Sequence, residues 1–229
     1  MPDLYSQHAR HYVAVDCIIF GFDREELKLL LIKRGFDPGK GQWSLMGGFL
    51  GEKESPDEAA SRILNELTGL GEIYLEQLQA YGEPARDPEA RVISIGYYAL
   101  INTAQAEQII TSDYQARWFS LAELPELVFD HNTMVEKALR RLRRRCRTQP
   151  VGFELLPEKF TLPQLMKLYE AIFEQEFDKR NFRKKMLSFG LLKKLEEKEK
   201  EGSRKGAFRY CFDEEKYEDM VRNGYSFGF

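Results

Sequence analysis

The sequence predicts an α/β sandwich built on a mixed sheet, followed by a small helix-turn-helix domain that carries a β-hairpin. Three observations support this. Short β-type runs recur at Val13–Phe20, Leu27–Arg34, Trp43–Phe49, Ile73–Gly82, Val92–Ile101 and Ala116–Phe119. Two helical stretches with apolar stripes alternate with these runs, which implies helices layered on a sheet. After Pro157 the pattern changes to two capped helices and a charged hairpin.

Val13–Phe20 (VAVDCIIF) alternates weakly, turns through the polar Asp23–Glu26, and returns as Leu27–Arg34 (LKLLLIKR), so a β-hairpin is expected. A loop bearing glycine and proline, Phe36–Gln42, leads to Trp43–Phe49. Gly47 and Gly48 allow a close backbone approach to whatever fills an adjacent cleft. The stretch Gly48–Leu70 (GFLGEKESPDEAASRILNELTGL) then reads as loop, helix and turn. Ser55 is an N-cap, Pro56 suits the first helical position, Glu58 completes a capping box and Gly69 is a left-handed stop. Ile63, Leu67 and Leu70 fall at i, i+4 and i+7, giving one apolar face.

Ile73–Gly82 and Val92–Ile101 are joined through Arg86–Pro88. Asn132–Arg147 is a helix whose stripe is Val135, Ala138, Leu139, Leu142 and Cys146. Its end, Arg140–Arg147 (RRLRRRCR), holds six arginines in eight residues. That run is either a solvated face whose cations suit a helix C-terminus, or a contact with DNA phosphates or the acidic surface of a neighbouring domain. Thr148–Pro157 marks a linker with apolar residues that pack, which divides the chain into 1–148 and 149–229.

In the second part Thr161, Pro163 and Gln164 form another helix start, and Leu165, Leu168, Tyr169, Ile172 and Phe173 its stripe. Asp178 caps a second helix that turns Phe182, Met186 and Phe189 inward and stops at Gly190. Leu191–Leu195 and Ala207–Phe212 read as strands around a charged, flexible loop, Glu196–Gly206. Two helices in this order, the second basic and outward-facing, form a helix-turn-helix, and the hairpin is its wing. Arg180, Asn181 and Lys184 are expected at the major groove or its rim. Lys179, Arg183, Lys185, Arg204 and Lys205 are expected on phosphates, while Glu196, Glu197, Glu199 and Glu201 keep much of the wing off DNA.

Gly48, Glu54, Arg62, Leu64, Glu66, Gly69 and Leu70 fall in register with the signature box of the Nudix hydrolases, which Gly48–Leu70 resembles. The Gly47-Gly48 lead-in, with Met46 where proline is usual, also resembles that family, and the Arg86-Asp87-Pro88 loop resembles the corresponding loop of ADP-ribose-type Nudix proteins, although it reads equally as an ordinary surface turn. The box departs from the family at Ile63 and Leu67, where two metal-binding glutamates are expected; Glu66 is retained. The resemblance implies that clustered carboxylates would hold divalent cations, and here that cluster is lost, so no catalysis, metal or cofactor is expected. The ending FTLPQLMKLYEAIF…DKRNFRKKMLSFGLL resembles the winged helix found after Nudix domains in transcriptional regulators.

That resemblance implies a homodimeric repressor on operator DNA, with the old catalytic cleft as its ligand sensor. A diphosphate site without metal has lost its main neutralising charge, whereas a neutral sugar needs none. The expected effector is therefore a pentose of the L-arabinose type, as in the arabinose-responsive branch of these regulators. The expected cleft residues are Lys33, Arg34, Gly47, Gly48, Glu52 and Glu66, with Phe49, Tyr97 and Trp118 as wall and at least one of these aromatics in the core. A hydrolase of ADP-ribose-like substrates and a nucleotide-responsive regulator of NAD metabolism are the alternatives.

Composition is consistent with this. Apolar residues make up 43% and charged residues 31%, as in a globular protein. Residues 151–229 carry 16 Lys and Arg against 15 Asp and Glu, so neither part is a basic tail, and any DNA surface is a local patch. Cys17, Cys146 and Cys211 share no metal-type spacing and fit reduced core thiols. No run is long enough to span a bilayer and residues 1–10 lack a signal core, so a cytoplasmic protein is expected.

Overall fold

The computed structural model describes residues 4–69, 73–103, 115–200, 206–224 and 227–229, with side chains except those of residues 4, 5, 67 and 68. Strand β1 (Tyr12–Phe22) runs through the middle of a mixed sheet. On one side it lies parallel to β6 (Val92–Asn102), in unbroken register from Tyr12↔Val92 to Phe22↔Asn102. On the other it is antiparallel to β2 (Leu27–Lys33) at one end and β4 (Met46–Phe49) at the other. The strands β3 (Trp43–Ser44) and β7 (Arg117–Ser120) pair with β2, and β5 (Tyr74–Tyr81) is antiparallel to β6. A parallel pair needs a crossover, and the intervening chain supplies it with α1 (Pro56–Thr68).

Both faces of β1 are covered, which explains its weak alternation in the sequence. Val15, Cys17 and Ile19 pack with Ile63 and Leu64 of α1. Ile18, Phe20 and Phe22 pack with Met134, Val135, Ala138 and Leu142 of α2 (His131–Thr148). The α1 capping box forms as expected: Ser55 Oγ accepts from the Glu58 N–H, Glu58 accepts from the Ser55 N–H, and Gly69 closes the helix at φ 62°.

The C-terminal part contains β8 (Phe160–Thr161), α3 (Leu162–Phe173), α4 (Lys179–Ser188), β9 (Leu192–Glu199), β10 (Ala207–Phe212) and α5 (Glu214–Arg222). Both expected caps are present, Thr161 on α3 and Asp178 on α4. The segment expected as a packed linker is firmly seated. Val151, Leu155 and Leu156 belong to one hydrophobic core that also holds Phe20 and Leu29 of the sheet and Leu165 and Ile172 of α3.

Three details differ from the sequence reading. Trp43–Phe49 is two short strands divided at Leu45. Strand β9 continues to Glu199, where a flexible loop was expected from Glu196. Lys194 and Lys198 cover the Phe208 ring at 3.7 and 4.4 Å, while Glu197 pairs with Lys159, next to β8, and Glu199 with Arg209 of β10, so these two carboxylates have partners within the domain. Helix α5 was not anticipated, because it buries none of its residues and so leaves no apolar stripe to read.

Candidate effector cleft and DNA-binding surface

The box carboxylates are already occupied. Arg62 of α1 grips Glu54 with two hydrogen bonds, at 2.7 and 3.0 Å, and lies 3.4 Å from Glu66. Glu54 also accepts from the Gly51 N–H at 2.7 Å. Hydrogen bonding from Arg62 is the main reason that the Glu54 carboxyl is lowered to about 2. Ile63 stands where the box has a glutamate. It is 3% exposed, packs with Val15, Cys17 and Ala59, and fills the space next to Gly48. Among the described residues no three metal-type ligands converge. The divalent-cation chemistry of a Nudix box needs free clustered carboxylates, and this donor set does not fit it. The Leu67 side chain and Leu70, the other residues of the expected stripe, lie outside the described residues.

On the opposite face of the sheet is a buried polar network that the sequence reading missed. Asp16 of β1 accepts from Ser94 Oγ of β6 at 2.5 Å and lies 3.4 Å from the Arg86 guanidinium. Arg86 also binds Asp130 with two hydrogen bonds, at 2.8 and 3.2 Å. His131 accepts from the Leu45 N–H at Nδ1, 3.1 Å away, and turns Nε2 toward Asp16 at 3.8 Å. The network reaches solvent at Gly47, which is exposed and pairs with Asp16 across β1 and β4. A Cβ at Gly47 would collide with the Asp16 carboxylate and the Val15 carbonyl, so glycine is required there. Arg34 stands at the same end of α2, its guanidinium over the Phe36 and Phe129 rings at 4.5 and 5.1 Å. Burial lowers the Arg34 pKa, and Asp16 and Asp87 oppose that shift.

The expected cleft residues therefore divide between the two faces. Arg34, Gly47 and Phe49 share the face of Asp16, since Ala14↔Phe49 and Asp16↔Gly47 are direct cross-strand pairs. Phe49 is 59% exposed and its ring lies 5.6 Å from that of Tyr12, so it is available as a wall. Gly48 and Tyr97 lie on the α1 face. Tyr97 is a correction: it is 1% exposed and its hydroxyl donates to Asp57 at 2.5 Å, so it locks α1 to β6. Trp118 is a second correction, because its ring packs onto Gly21 and the α1-side core. Lys33 is exposed with its ammonium over Trp43 at 5.3 Å, Glu52 is exposed, and Glu66 is held near Arg62.

The arginine run divides: Arg140 and Arg144 are exposed, whereas Arg141, Arg143 and Arg145 make contacts within the protein. Arg141 and Arg145 both pair with Glu76 of β5 at 2.8 Å. Arg143 donates to the Ile172 carbonyl and pairs with Glu174, each at 2.7 Å, which joins α2 to α3. In α4, Phe182 and Met186 are buried, whereas Lys179, Arg180, Asn181, Arg183, Lys184 and Lys185 are all exposed. One helix face thus anchors and the other presents five cations and an amide, the arrangement needed for a groove and its flanking phosphates. Arg204 and Lys205 lie outside the described residues. None of the described helices is long and apolar enough to cross a membrane.

Comparison with known proteins agrees with this two-part reading. Residues 10–141 match the NUDIX domain and residues 152–212 match the NrtR DNA-binding winged helix domain. An ADPR responsive transcriptional repressor of Acinetobacter baylyi is 32% identical over 87% of this chain and 81% of its own length. The crystal structure of Shewanella oneidensis NrtR with a 27mer DNA superposes at TM-score 0.82 with 31% identity, covering 94% of this chain and 97% of that one. The NUDIX domain of the same Shewanella protein, crystallised with ADP ribose, is 32% identical at TM-score 0.52, over 60% of this chain and 92% of that one. An ADP-ribose pyrophosphatase of Methanocaldococcus jannaschii is 36% identical over 59% of this chain and 78% of its own length.

Proposed function

We propose, for a chain that belongs to the NrtR family of Nudix domains joined to a DNA-binding winged helix, that its Nudix domain senses ADP-ribose and does not hydrolyse it. The chain is then a repressor that binds operator DNA through α4 and responds to the nucleotide. The observation that carries the reading is the state of the box: Ile63 is in the core and both Glu54 and Glu66 are held by Arg62. A sensor needs the scaffold and the cleft, but not the metal cluster. A homodimer that presents two α4 helices to a two-fold operator is part of this proposal.

ADP-ribose replaces the pentose expected from sequence. The relatives above whose names state a small molecule state ADP-ribose and no sugar. With the metal cluster gone, a diphosphate needs a cation from the chain itself. Arg34, its guanidinium over Phe129 at the head of α2, offers one, whereas Arg86 is already shared by Asp16 and Asp130.

Calorimetric titration of ADP-ribose and of L-arabinose into the full chain tests the reading, paired with operator DNA selected from a random library and followed by fluorescence anisotropy. ADP-ribose is expected to bind and release DNA, arabinose to do neither, and magnesium to produce no turnover of ADP-ribose. Release by arabinose with ADP-ribose inert would overturn the ligand. Metal-dependent hydrolysis that disappears in Glu66→Gln would overturn the inactive box.

A further inference from the structure

One helix touches both the cleft and the DNA-binding domain. The last turns of α2 hold the winged helix: Arg143 binds α3, the Arg147 guanidinium covers Phe173 at 5.3 Å, and the Arg147 carbonyl accepts from the Phe229 N–H at 2.9 Å. The start of α2 carries the buried Asp130–Arg86–Asp16 network. Asp130 occupies its N-cap position but makes no side-chain cap; both carboxylate oxygens go to Arg86 instead. An N-cap aspartate normally satisfies its own helix, so this carboxylate is committed to a loop 44 residues away. The residue before it, Phe129, is held at φ 55°, a conformation that costs a non-glycine residue free energy, with its ring 5.6 Å from that of His131.

Arg86, its side chain 4% exposed, is thus shared between Asp16 on the sheet and Asp130 at the head of α2, and Asp16 is the cross-strand partner of the exposed Gly47. We propose that the Arg86–Asp130 pair is the contact that couples the cleft to the DNA-binding domain. A diphosphate entering over Gly47 competes for the Arg86 guanidinium, Asp130 loses its partner, and the head of α2 moves with the winged helix fastened to its far end. Arg86 touches the ligand and Asp130 is the positioning residue in this scheme, and the scheme rests on the ADP-ribose reading of the same cleft. Two carboxylates on one guanidinium leave the cluster with excess negative charge, so an incoming anion must displace Asp130 and cannot simply join it.

Asp130→Asn tests the pair, because asparagine is also a good N-cap and the Arg86–Asp16 contact remains. Arg86→Lys is the second variant; it keeps a cation but cannot grip a carboxylate with two bonds. Calorimetry gives the ADP-ribose affinity, and anisotropy gives the operator affinity with and without saturating ADP-ribose, on full chains shown to be folded by thermal melting. In the unmodified protein ADP-ribose is expected to weaken DNA binding about tenfold or more, within the range usual for coupled sites. In both variants that factor should fall below about threefold while operator affinity without ADP-ribose stays within about threefold; Asp130→Asn, which frees Arg86, should bind ADP-ribose at least as tightly as the unmodified protein. Full coupling in both variants overturns the proposal. So does loss of ADP-ribose binding in folded Asp130→Asn, since the pair would then only build the site. An unmodified protein indifferent to ADP-ribose removes the ligand reading, and this inference with it.

Discussion

The Arg145 guanidinium donates to the Glu76 carboxylate at 2.8 Å, fastening the C-terminal half of α2 to the edge strand β5. Tyr74, Tyr98 and Arg141 donate to the same carboxylate, each at 2.8 Å. Burial alone would raise the Glu76 carboxyl, but these hydrogen bonds outweigh it and the pKa is lowered. Glu76→Ala is expected to cost about 2 kcal/mol, less than a fully buried pair because the arginines are partly exposed. The sign with pH follows from a lowered acid: the stabilisation is full above the usual 4.5 and is lost as pH falls through the lower folded value. Urea denaturation of the two proteins at pH 7 and pH 3.5 checks this; the difference between them should shrink at the lower pH.

His131 makes the opposite kind of contribution. Burial is the main cause that lowers its imidazole below 6.5, and Asp16 opposes the shift without overcoming it. The unfolded chain therefore takes up the proton first. Stability is full above about pH 6.5 and falls toward the folded value, by at most about 1.4 kcal/mol per pH unit. His131→Gln should flatten the denaturation midpoint between pH 7.5 and 5.5, and an unchanged slope would refute the assignment.

Ile63→Ala should destabilise the fold by about 3 kcal/mol through the cavity it leaves beside Val15 and Cys17. Ile63→Glu, which restores a box residue, is expected to lower the melting temperature further without producing metal-dependent turnover, because it puts a carboxylate into the core. Turnover by this single variant would show that the helix face is still open to a cation.

In α4, Arg180→Ala is expected to cost about 1–3 kcal/mol in operator binding and to relax specificity at one base position. Lys179→Ala should weaken all sequences alike and reduce the salt slope by about one unit. Binding measured from low to high salt on matched and mismatched duplexes separates the two effects. Identical behaviour of the two variants would remove Arg180 from the groove.

Much of this was readable from the chain. Ser55 with Glu58, Thr161 with Gln164 and Asp178 with Asn181 make caps within three residues, so helix starts are written locally. The exposed cations of α4 followed from Phe182 and Met186, since a helix that buries one face must show the other. The loss of box carboxylates at Ile63 and Leu67 was visible by inspection.

The cleft was less legible than the elements around it. Local residue patterns were enough to fix which elements form and which box residues are missing. It took the packed chain to bring Asp16, Arg86 and Asp130, 70 and 44 residues apart along the chain, into one cluster and to turn Tyr97 and Trp118 away from it. Strand register sets those outcomes, because a residue's face alternates along β1, β4 and β6 and the pairing chooses its neighbours. Electrostatic attraction depends on distance in space, so the pairing of Arg86 with Asp16 and Asp130 became visible only once the Arg86 loop lay against β1.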